Sequence, residues 1–582
     1  MIFPRLVNTT PKSPNFCYNL AMSKVLIIGA AIFSALVAHA QLHGCVSPLE
    51  RISAEHARGD ESARAWHDVA WRNERIHAAF AIWGADTNAN IRAEADALVG
   101  PGGARLAVRI RWVRETLVSD FFGGKWDPSR YPLFPVGDIL DDAQPFALTD
   151  RGFRGLWTTI RTAAATPPGR YSGELRVRRG DETLRFPLTL DVLAATLPAR
   201  KRMHLDIWQT PWSVARYYGV EPFSSAHYAH LEPIYRELAD AGQRTITVTI
   251  TDTPWNVREN IDTARSMVKY VKGRDGCFRA DFSLLDDYVA FARRCGLGPQ
   301  IHCYSLVKFQ RHDDYWYDDE ATGKPACVRC RPGSDAFAAY WTPLLQQLER
   351  HAKEMGWTDN VYIALDELPR DETAAAAALI RSCAPSLKFQ MSGDRSPTHF
   401  ADIAIDSYSQ GMHKPAYLTP EFFAEVARRR AAGLITTVYV CCQPRRPNCL
   451  VRSPLVEQRW LGLFMAAKGL DGFLKSTSHR WTPAVDPLVD SSCLPHFPCG
   501  DSFLLYPGPR ASLRWESLRD GFEDFEKIAL LREKGRITPA LAAAFERIDY
   551  ARFLAGDTAA VQRDVNAVCA AIDDVATIMS NE

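Results

Sequence analysis

The sequence predicts two architectures in series, α/β plus all-β: an N-terminal β-sandwich, then a (β/α)8 TIM barrel with a helical C-terminal tail. Three observations carry this expectation. From Ala70 to Leu197, short runs alternating apolar and polar recur between Pro and Gly without a long helical pattern. After Pro198, short apolar runs alternate with amphipathic stretches of helix length. The turn after the first of those runs, Gln209-Thr210-Pro211-Trp212, has no glycine, whereas a doubly wound nucleotide-binding sheet would want a glycine-rich turn there. A chain of 582 residues also exceeds what one core can organise. The expected boundaries are a signal peptide at 22–40, the sandwich at 46–198, the barrel at 199–535 and a helical extension at 536–582.

The sandwich strands are expected at Arg75–Ala81, Ala104–Arg111, Gly155–Arg161, Gly173–Arg178 and Leu184–Val192, with Pro167-Pro168-Gly169 as a firm turn and Gly180-Asp181-Glu182 as a hairpin tip. Eight barrel strands are expected: Met203–Trp208, Thr245–Thr251, Gln300–Leu306, Val361–Leu365, Lys388–Ser392, Ile403–Tyr408, Ile435–Cys441 and Gly472–Ser476. Helical stretches separate most of them, and Ser512–Lys534 closes the series. Beyond it Leu541, Phe545, Ile548 and Phe553 recur at helical spacing, which predicts a packed tail.

The formal net charge of +1 lacks the basic excess of a nucleic-acid binder. Lys24, the apolar run Val25–Val37 and Ala38-His39-Ala40 form an export signal ending before Gln41, with Met22 the more natural start. Leu42-His43-Gly44-Cys45 resembles a bacterial lipobox, so a lipid anchor at Cys45 is the rival to a free secreted form. No other segment has the roughly 20 apolar residues of a membrane span. Among 14 cysteines, Cys327 and Cys330 form a CxxC without a second CxxC or a His cluster, which argues against zinc. No metal or organic cofactor is expected. The vicinal Cys441-Cys442 is expected to be unpaired.

In a parallel barrel, chemistry sits where strands end and βα loops begin. The strand ends offer Trp208, Asp252 with Trp255, Tyr304, Asp366-Glu367, Asp394, Asp406 with Tyr408, Tyr439, and His479 with Trp481; the Arg446-Pro447-Asn448 loop adds Asn448. Aromatics and carboxylates without a concentration of Lys or Arg suit a neutral polyhydroxy ligand better than a phosphate. Asp366-Glu367 is the centre of this set. On a regular strand the two side chains would face opposite ways; at a fraying strand end both can reach one pocket. The structural alternative is that Glu367 caps the next helix or pairs with Arg370.

Ala70-Trp71-Arg72-Asn73-Glu74-Arg75, the Pro167–Tyr171 turn, Gly276-Cys277-Phe278-Arg279-Ala280-Asp281, Asp366-Glu367, Leu505-Tyr506-Pro507-Gly508 and the run from Ser512 to Glu526 together resemble glycoside hydrolase family 123. The resemblance spans roughly 65–535. It implies a sandwich joined to a barrel and an exo-acting β-N-acetylgalactosaminidase with retaining, substrate-assisted chemistry. It implies Glu367 as general acid and then base, and Asp366 as the group that orients the 2-acetamido substituent while its carbonyl oxygen attacks C1. Trp208, Asp252, Tyr304, Asp406, Tyr408, Tyr439, Asn448 and Trp481 are then the expected substrate contacts, and the partner is a glycan or glycoconjugate. The Asp366 charge is expected to raise the pKa of Glu367 and keep it protonated.

The eighth strand departs from the family pattern. A Trp is expected within it, but the strand carries Lys475, and Trp481 lies further on. Two other readings stay open at this stage. One is a glycosidase on a sugar without an acetamide, with Asp252, Asp394 or Asp406 as separate nucleophile. The other is a non-catalytic carbohydrate-binding surface protein.

Overall fold

The computed structural model describes all residues except 1–43, 53–64, 85–89, 124–126, 128, 145, 148–151, 256–263, 310–312, 484, 493–496 and 582. The signal peptide expected at 22–40 lies outside the described residues. Cys45 lies in a short strand, Gly44–Val46, paired antiparallel to Arg75–Trp83.

The N-terminal part is two sheets face to face. One runs Gly44–Val46, Arg75–Trp83, Phe153–Arg161, Val108–Val118, Phe134–Asp141; the other is built on Trp66–Arg72, Glu182–Thr196, Gly169–Arg179 and Asn90–Ala95. Pairing is antiparallel except between Trp66–Arg72 and Glu182–Thr196. The inner residues Ile76, Ala78, Phe80, Trp112, Leu156, Leu175, Phe186 and Leu188 alternate along their strands and fill the space between the sheets. Four of the five expected strands are present and somewhat longer than their alternation suggested; the one expected at Ala104–Arg111 is split into Arg105–Leu106 and Val108–Val118, in different sheets.

Eight parallel strands follow: His204–Ile207, Thr245–Thr249, Gln300–Tyr304, Val361–Asp366, Lys388–Gly393, Ser407–Gly411, Ile435–Tyr439 and Gly472–Lys475. Strands two to eight pair in sequence order and the eighth pairs with the first. The remaining seam, between the first two, is closed largely by side chains. Gln243 Oε1 accepts from the Ile207 amide at 3.0 Å, Gln209 Oε1 accepts from the Thr247 amide at 2.8 Å, and one backbone bond joins Arg244 to Leu205. The sixth strand starts four residues later than its apolar run, Ile403–Tyr408, suggested. Asp406 sits at its N-terminal end, where its carboxylate accepts from the Phe389 amide at 2.8 Å. That carboxylate replaces a ladder partner and ends the regular pairing.

Two features were not foreseen. Insertions after the second and third strands, Lys269–Lys272 with Phe278–Asp281 and Asp314–Asp319 with Lys324–Arg329, make a four-stranded sheet, which packs on the long helix Asp335–Glu354 through Tyr270, Phe278, Tyr315 and Tyr340. Its short, charged strands give little alternation to read. The second is the setting of the helix Leu513–Glu533, itself expected at Ser512–Lys534. Ser512 caps it, its Oγ accepting from the Trp515 amide at 3.0 Å. Unlike an amphipathic barrel helix it is buried almost all round, because it is wedged between sandwich and barrel. It crosses the helix Leu455–Ala467 at two glycines. A Cβ on Gly462 would lie 2.0 Å from the Gly521 carbonyl, so only glycine permits that approach.

Charged groups on this helix bind both domains. Glu516 meets Arg75 at 2.5 Å and Arg111 at 2.7 Å, Arg514 meets Asp138 at 2.9 Å, Lys527 meets Glu74 at 2.6 Å, and Asp524 meets Arg459 at 2.6 Å. The Ser512–Glu526 block is therefore the joint between the two domains. Helices Pro539–Phe545, Tyr550–Ala555 and Thr558–Asn581 complete the tail, with Leu541, Ile548 and Phe553 buried as their spacing required.

Candidate active site

The acid pair sits at the C-terminal end of the fourth barrel strand. Along Val361–Asp366, Ile363 and Leu365 face outward into the helix-packed core, while Ala364 joins an aromatic cluster inside the barrel mouth. Alternation therefore turns Asp366 inward. Glu367 should then face outward, yet it does not. Its φ is +47°, in the left-handed region that non-glycine residues seldom adopt. The turn is held by a 2.8 Å bond from the Glu367 amide to the Ser392 carbonyl on the next strand. With the backbone reversed, the Glu367 carboxylate faces the mouth and accepts a hydrogen bond from the Tyr439 phenol on the seventh strand. Strain of this kind concentrates at functional positions.

The structural alternatives for Glu367 are not realised. Arg370 pairs instead with Asp402 and donates to the His399 carbonyl at 3.1 Å. No side-chain cap from Glu367 is made to the following helix, Arg370–Cys383.

Beneath the pair lies an aromatic floor. Trp208 stacks on Trp255 with ring centroids 5.0 Å apart, and Tyr304 lies 4.8 Å from each. Tyr439, Ala364 and Leu474 complete it. Tyr304 is fully buried and donates to Gln390 Oε1 at 3.3 Å. Such a surface can take the apolar face of a sugar ring while carboxylates meet its hydroxyls.

The electrostatics of the pair are marked at Asp366. The carboxyl pushed well above the usual range is that of Asp366, first by removal from water, then by the adjacent Glu367 charge, with Arg480 pulling the other way. Arg480, between His479 and Trp481, is a functional candidate that strand-end position alone does not single out. The Tyr439 phenol is also held well above its ordinary value, by burial and then by Glu367, so it remains a hydrogen donor. His413, another residue missed, lies 6.5 Å ring to ring from Tyr439, and its pKa is lowered by burial against the attraction of Glu367 and Asp394.

Of the expected substrate contacts, Trp208, Tyr304 and Tyr439 come together at the pair. Asp252 stands at the rim of the second strand but is occupied, accepting from the Ser266 amide at 2.8 Å and facing Arg265 at 3.3 Å. It lines an adjoining cavity of about 660 Å³ with Lys269, Trp316 and Asp318. Four residues are not brought to the pair. Asp406 is at the start of its strand, at the other end of the barrel. Tyr408 is buried in the core with its hydroxyl on the Arg395 carbonyl at 2.5 Å. Asn448 is buried and pins its own loop, donating to the Cys441 carbonyl at 2.9 Å. Trp481 is buried with Nε1 on the Leu505 carbonyl at 2.9 Å. Asp406 and Tyr408 belong to a strand that starts four residues later than expected, which changes their level, whereas Asn448 and Trp481 lie in loops well past their strands. Lys475 is fully buried, bonded to Asp501 at 2.6 Å; it is a structural ion pair that ties the eighth strand to the loop before Leu505.

Among the described residues, no three His, Cys, Asp or Glu side chains converge on a metal position. Every cysteine among them is a free thiol, Cys327 and Cys330 included.

Comparison with known proteins agrees with this geometry. The family model for the glycoside hydrolase 123 catalytic domain matches residues 208–531, and that for the glycoside hydrolase 123 N-terminal domain matches 53–179. No curated protein matches the chain. Among solved structures, a family 123 glycoside hydrolase from Clostridium perfringens superposes with a TM-score of 0.83 at 23% identity, over 93% of this chain and 99% of that one. A GH39 β-xylosidase from Caulobacter crescentus gives 0.33 at 12% identity over 56% and 72% of the two chains. An endo-β-1,4-mannanase from Thermotoga petrophila gives 0.34 at 11% over 56% and 77%. Both of these scores fall below 0.5, so neither adds to the argument. The match of the catalytic-domain model to more than half of the sequence, on a barrel with an acid pair at its mouth, identifies the chain as a glycoside hydrolase belonging to family 123.

Proposed function

We propose that the chain removes a terminal β-linked N-acetylgalactosamine from a glycan, with retention, using the substrate's own acetamide as nucleophile. The observation that carries the reading is the pairing of two unlike carboxyl groups at one strand end. Glu367 is oriented by Tyr439, and Asp366 stands beside it at the aromatic floor. An ordinary retaining glycosidase needs an acid and a nucleophile on opposite flanks of the bond, about 5–5.5 Å apart. Neighbouring residues of one strand end suit a different division of labour. Glu367 protonates the leaving oxygen and then activates water. Asp366 accepts the acetamido N–H and steadies the positive charge that develops as the carbonyl oxygen closes on C1.

The raised carboxyl of Asp366 fits this role in one respect. Partial removal from water and the neighbouring Glu367 disfavour its charge, and an arriving acetamide N–H would donate to its anion. The same observation favours a second reading, in which Asp366 carries the proton and Glu367 serves as the ion. The Clostridium perfringens relative is described as acting in glycolipid glycan hydrolysis; we extend that substrate class to this chain. We also place the mature protein outside the cytoplasm, after cleavage following Ala40, with Cys45 as the alternative lipidated terminus. Among the described residues no helix is long and apolar enough to cross a membrane. N-terminal sequencing of the native protein tests the export step.

The activity test is a panel of 4-nitrophenyl β-GalNAc, β-GlcNAc, β-galactoside and α-arabinoside. Release from the acetamido sugars alone supports the reading. Cleavage only of sugars without an acetamide overturns it and returns the search to a separate nucleophile. Asp394, 36% exposed and more than 3.5 Å from its nearest cations, would be the first candidate.

A further inference from the structure

We propose that Cys441 and Cys442 form an oxidant-sensitive modification site coupled to the acid pair. Their sulfurs lie 3.9 Å apart, and both side chains are half-buried. A disulfide needs about 2.05 Å, a distance that side-chain rotation alone does not supply to adjacent residues, so closing the pair turns the peptide between them. That peptide is anchored. The Cys441 amide donates to the Gln443 carbonyl at 3.0 Å and the Cys441 carbonyl accepts from buried Asn448 at 2.9 Å. Cys441 also packs against the floor formed by Trp208, Tyr304 and Tyr439, and lies two residues beyond the tyrosine that orients Glu367. Turning the 441–442 peptide therefore moves Tyr439.

The chemistry has a natural direction. The Cys442 thiol is lowered by its hydrogen bond with Cys441, burial opposing and the buried Lys475 charge assisting, whereas Cys441 is raised. Cys442 thiolate attacks hydrogen peroxide; the S–O bond forms, the O–O bond breaks, and hydroxide leaves and takes a proton as water. Cys441 then attacks the sulfenic sulfur; the S–S bond forms, the S–O bond breaks, and the departing hydroxyl leaves as water with the Cys441 proton. Two thiols are oxidised by two electrons and one peroxide is reduced to two waters.

The effect on rate rests on the hydrolase activity proposed above, so the test carries a readout that does not. The full chain is treated with hydrogen peroxide and its peptides are mapped by mass spectrometry, while intrinsic tryptophan fluorescence and 4-nitrophenyl β-GalNAc hydrolysis are followed. The expected result is a 441–442 peptide two hydrogens lighter, a fluorescence change from the Trp208–Trp255 stack, and at least an about tenfold fall in kcat/KM, the loss expected when Tyr439 releases Glu367. Dithiothreitol reverses all three. Cys442→Ser, with Cys442→Ala as a second variant, keeps the untreated rate and resists peroxide, whereas Cys327→Ser behaves as wild type. Oxidation of these sulfurs to other products, or a vicinal disulfide without change in fluorescence, overturns the proposal. Equal peroxide sensitivity of Cys442→Ser also overturns it. If no glycoside is cleaved, the function above fails, and the mass and fluorescence measurements still decide this inference.

Discussion

Glu516 is buried and Asp366 is half-buried, and the two carboxyls have been driven in opposite directions. Burial alone would raise either one. At the domain joint, Arg75, Arg111 and His77 surround Glu516 and bring it well below the usual range. At the barrel mouth, Asp366 has a second carboxylate beside it and only Arg480 in opposition, and it stands well above. The desolvation is common to both and the neighbours decide the sign. A buried acid matched by cations holds a fold together. A half-buried acid set beside another acid is a stability cost, of the kind retained where chemistry needs a proton to be movable.

This contrast can be broken in several places. The largest expected effect is from Glu367→Gln, which should lower kcat/KM on an unactivated β-GalNAc glycan by about 10²–10⁴-fold, the usual worth of a positioned acid, with the unfolding midpoint unchanged. Glu516→Gln should do the converse. It leaves the buried Arg111 guanidinium without its carboxylate and Arg75 with only the more distant Glu523, and should cost about 3–5 kcal/mol in urea unfolding, while the folded fraction keeps its kinetic constants. A Glu516→Gln protein of wild-type stability would remove the structural half of the comparison. Tyr439→Phe is expected to be smaller, about 1.5–3 kcal/mol of transition-state stabilisation lost with the bond to Glu367, read as kcat/KM.

The finest test is the sign of the pH dependence. Asp366 binds its proton more tightly folded than unfolded. Its contribution to stability is fully present below the unfolded value of 3.8 and is lost as pH rises through the higher folded value. Glu516 is opposite: its contribution is present above 4.5 and is lost as pH falls toward its low folded value. The stability of wild type relative to Asp366→Asn should therefore fall with rising pH, and relative to Glu516→Gln it should rise. Slopes of the same sign would mean that one of the two environments is misread.

Much of this was legible in the sequence. The order of sandwich and barrel, seven of the eight strands to within a few residues, the tail and the Asp366-Glu367 pair all followed from periodicity and position. What was not legible is instructive. No propensity predicts that Glu367 takes a left-handed backbone, and without that turn the pair would face opposite ways. The Ser512–Glu526 block reads like an ordinary charged helix, because its acids and cations find their partners hundreds of residues away. Asp406, Tyr408, Asn448 and Trp481 were the right residue types, yet the strand of the first two starts four residues later than expected and the last two lie in loops well past their strands. Only Trp208, Tyr304 and Tyr439 kept both the level and the facing that the site demands.

The central claim is the division of labour within the acid pair, and leaving-group dependence tests it most directly. Wild type, Glu367→Gln and Asp366→Asn would each be assayed on two β-N-acetylgalactosaminides, one releasing 4-nitrophenol and one releasing a sugar alcohol. Loss of the proton donor matters little when the leaving group needs no proton. The account predicts that Glu367→Gln loses far more on the sugar leaving group than on 4-nitrophenol, while Asp366→Asn loses similarly on both. The reverse pattern, with Asp366→Asn rescued by the good leaving group, would contradict it and exchange the two roles.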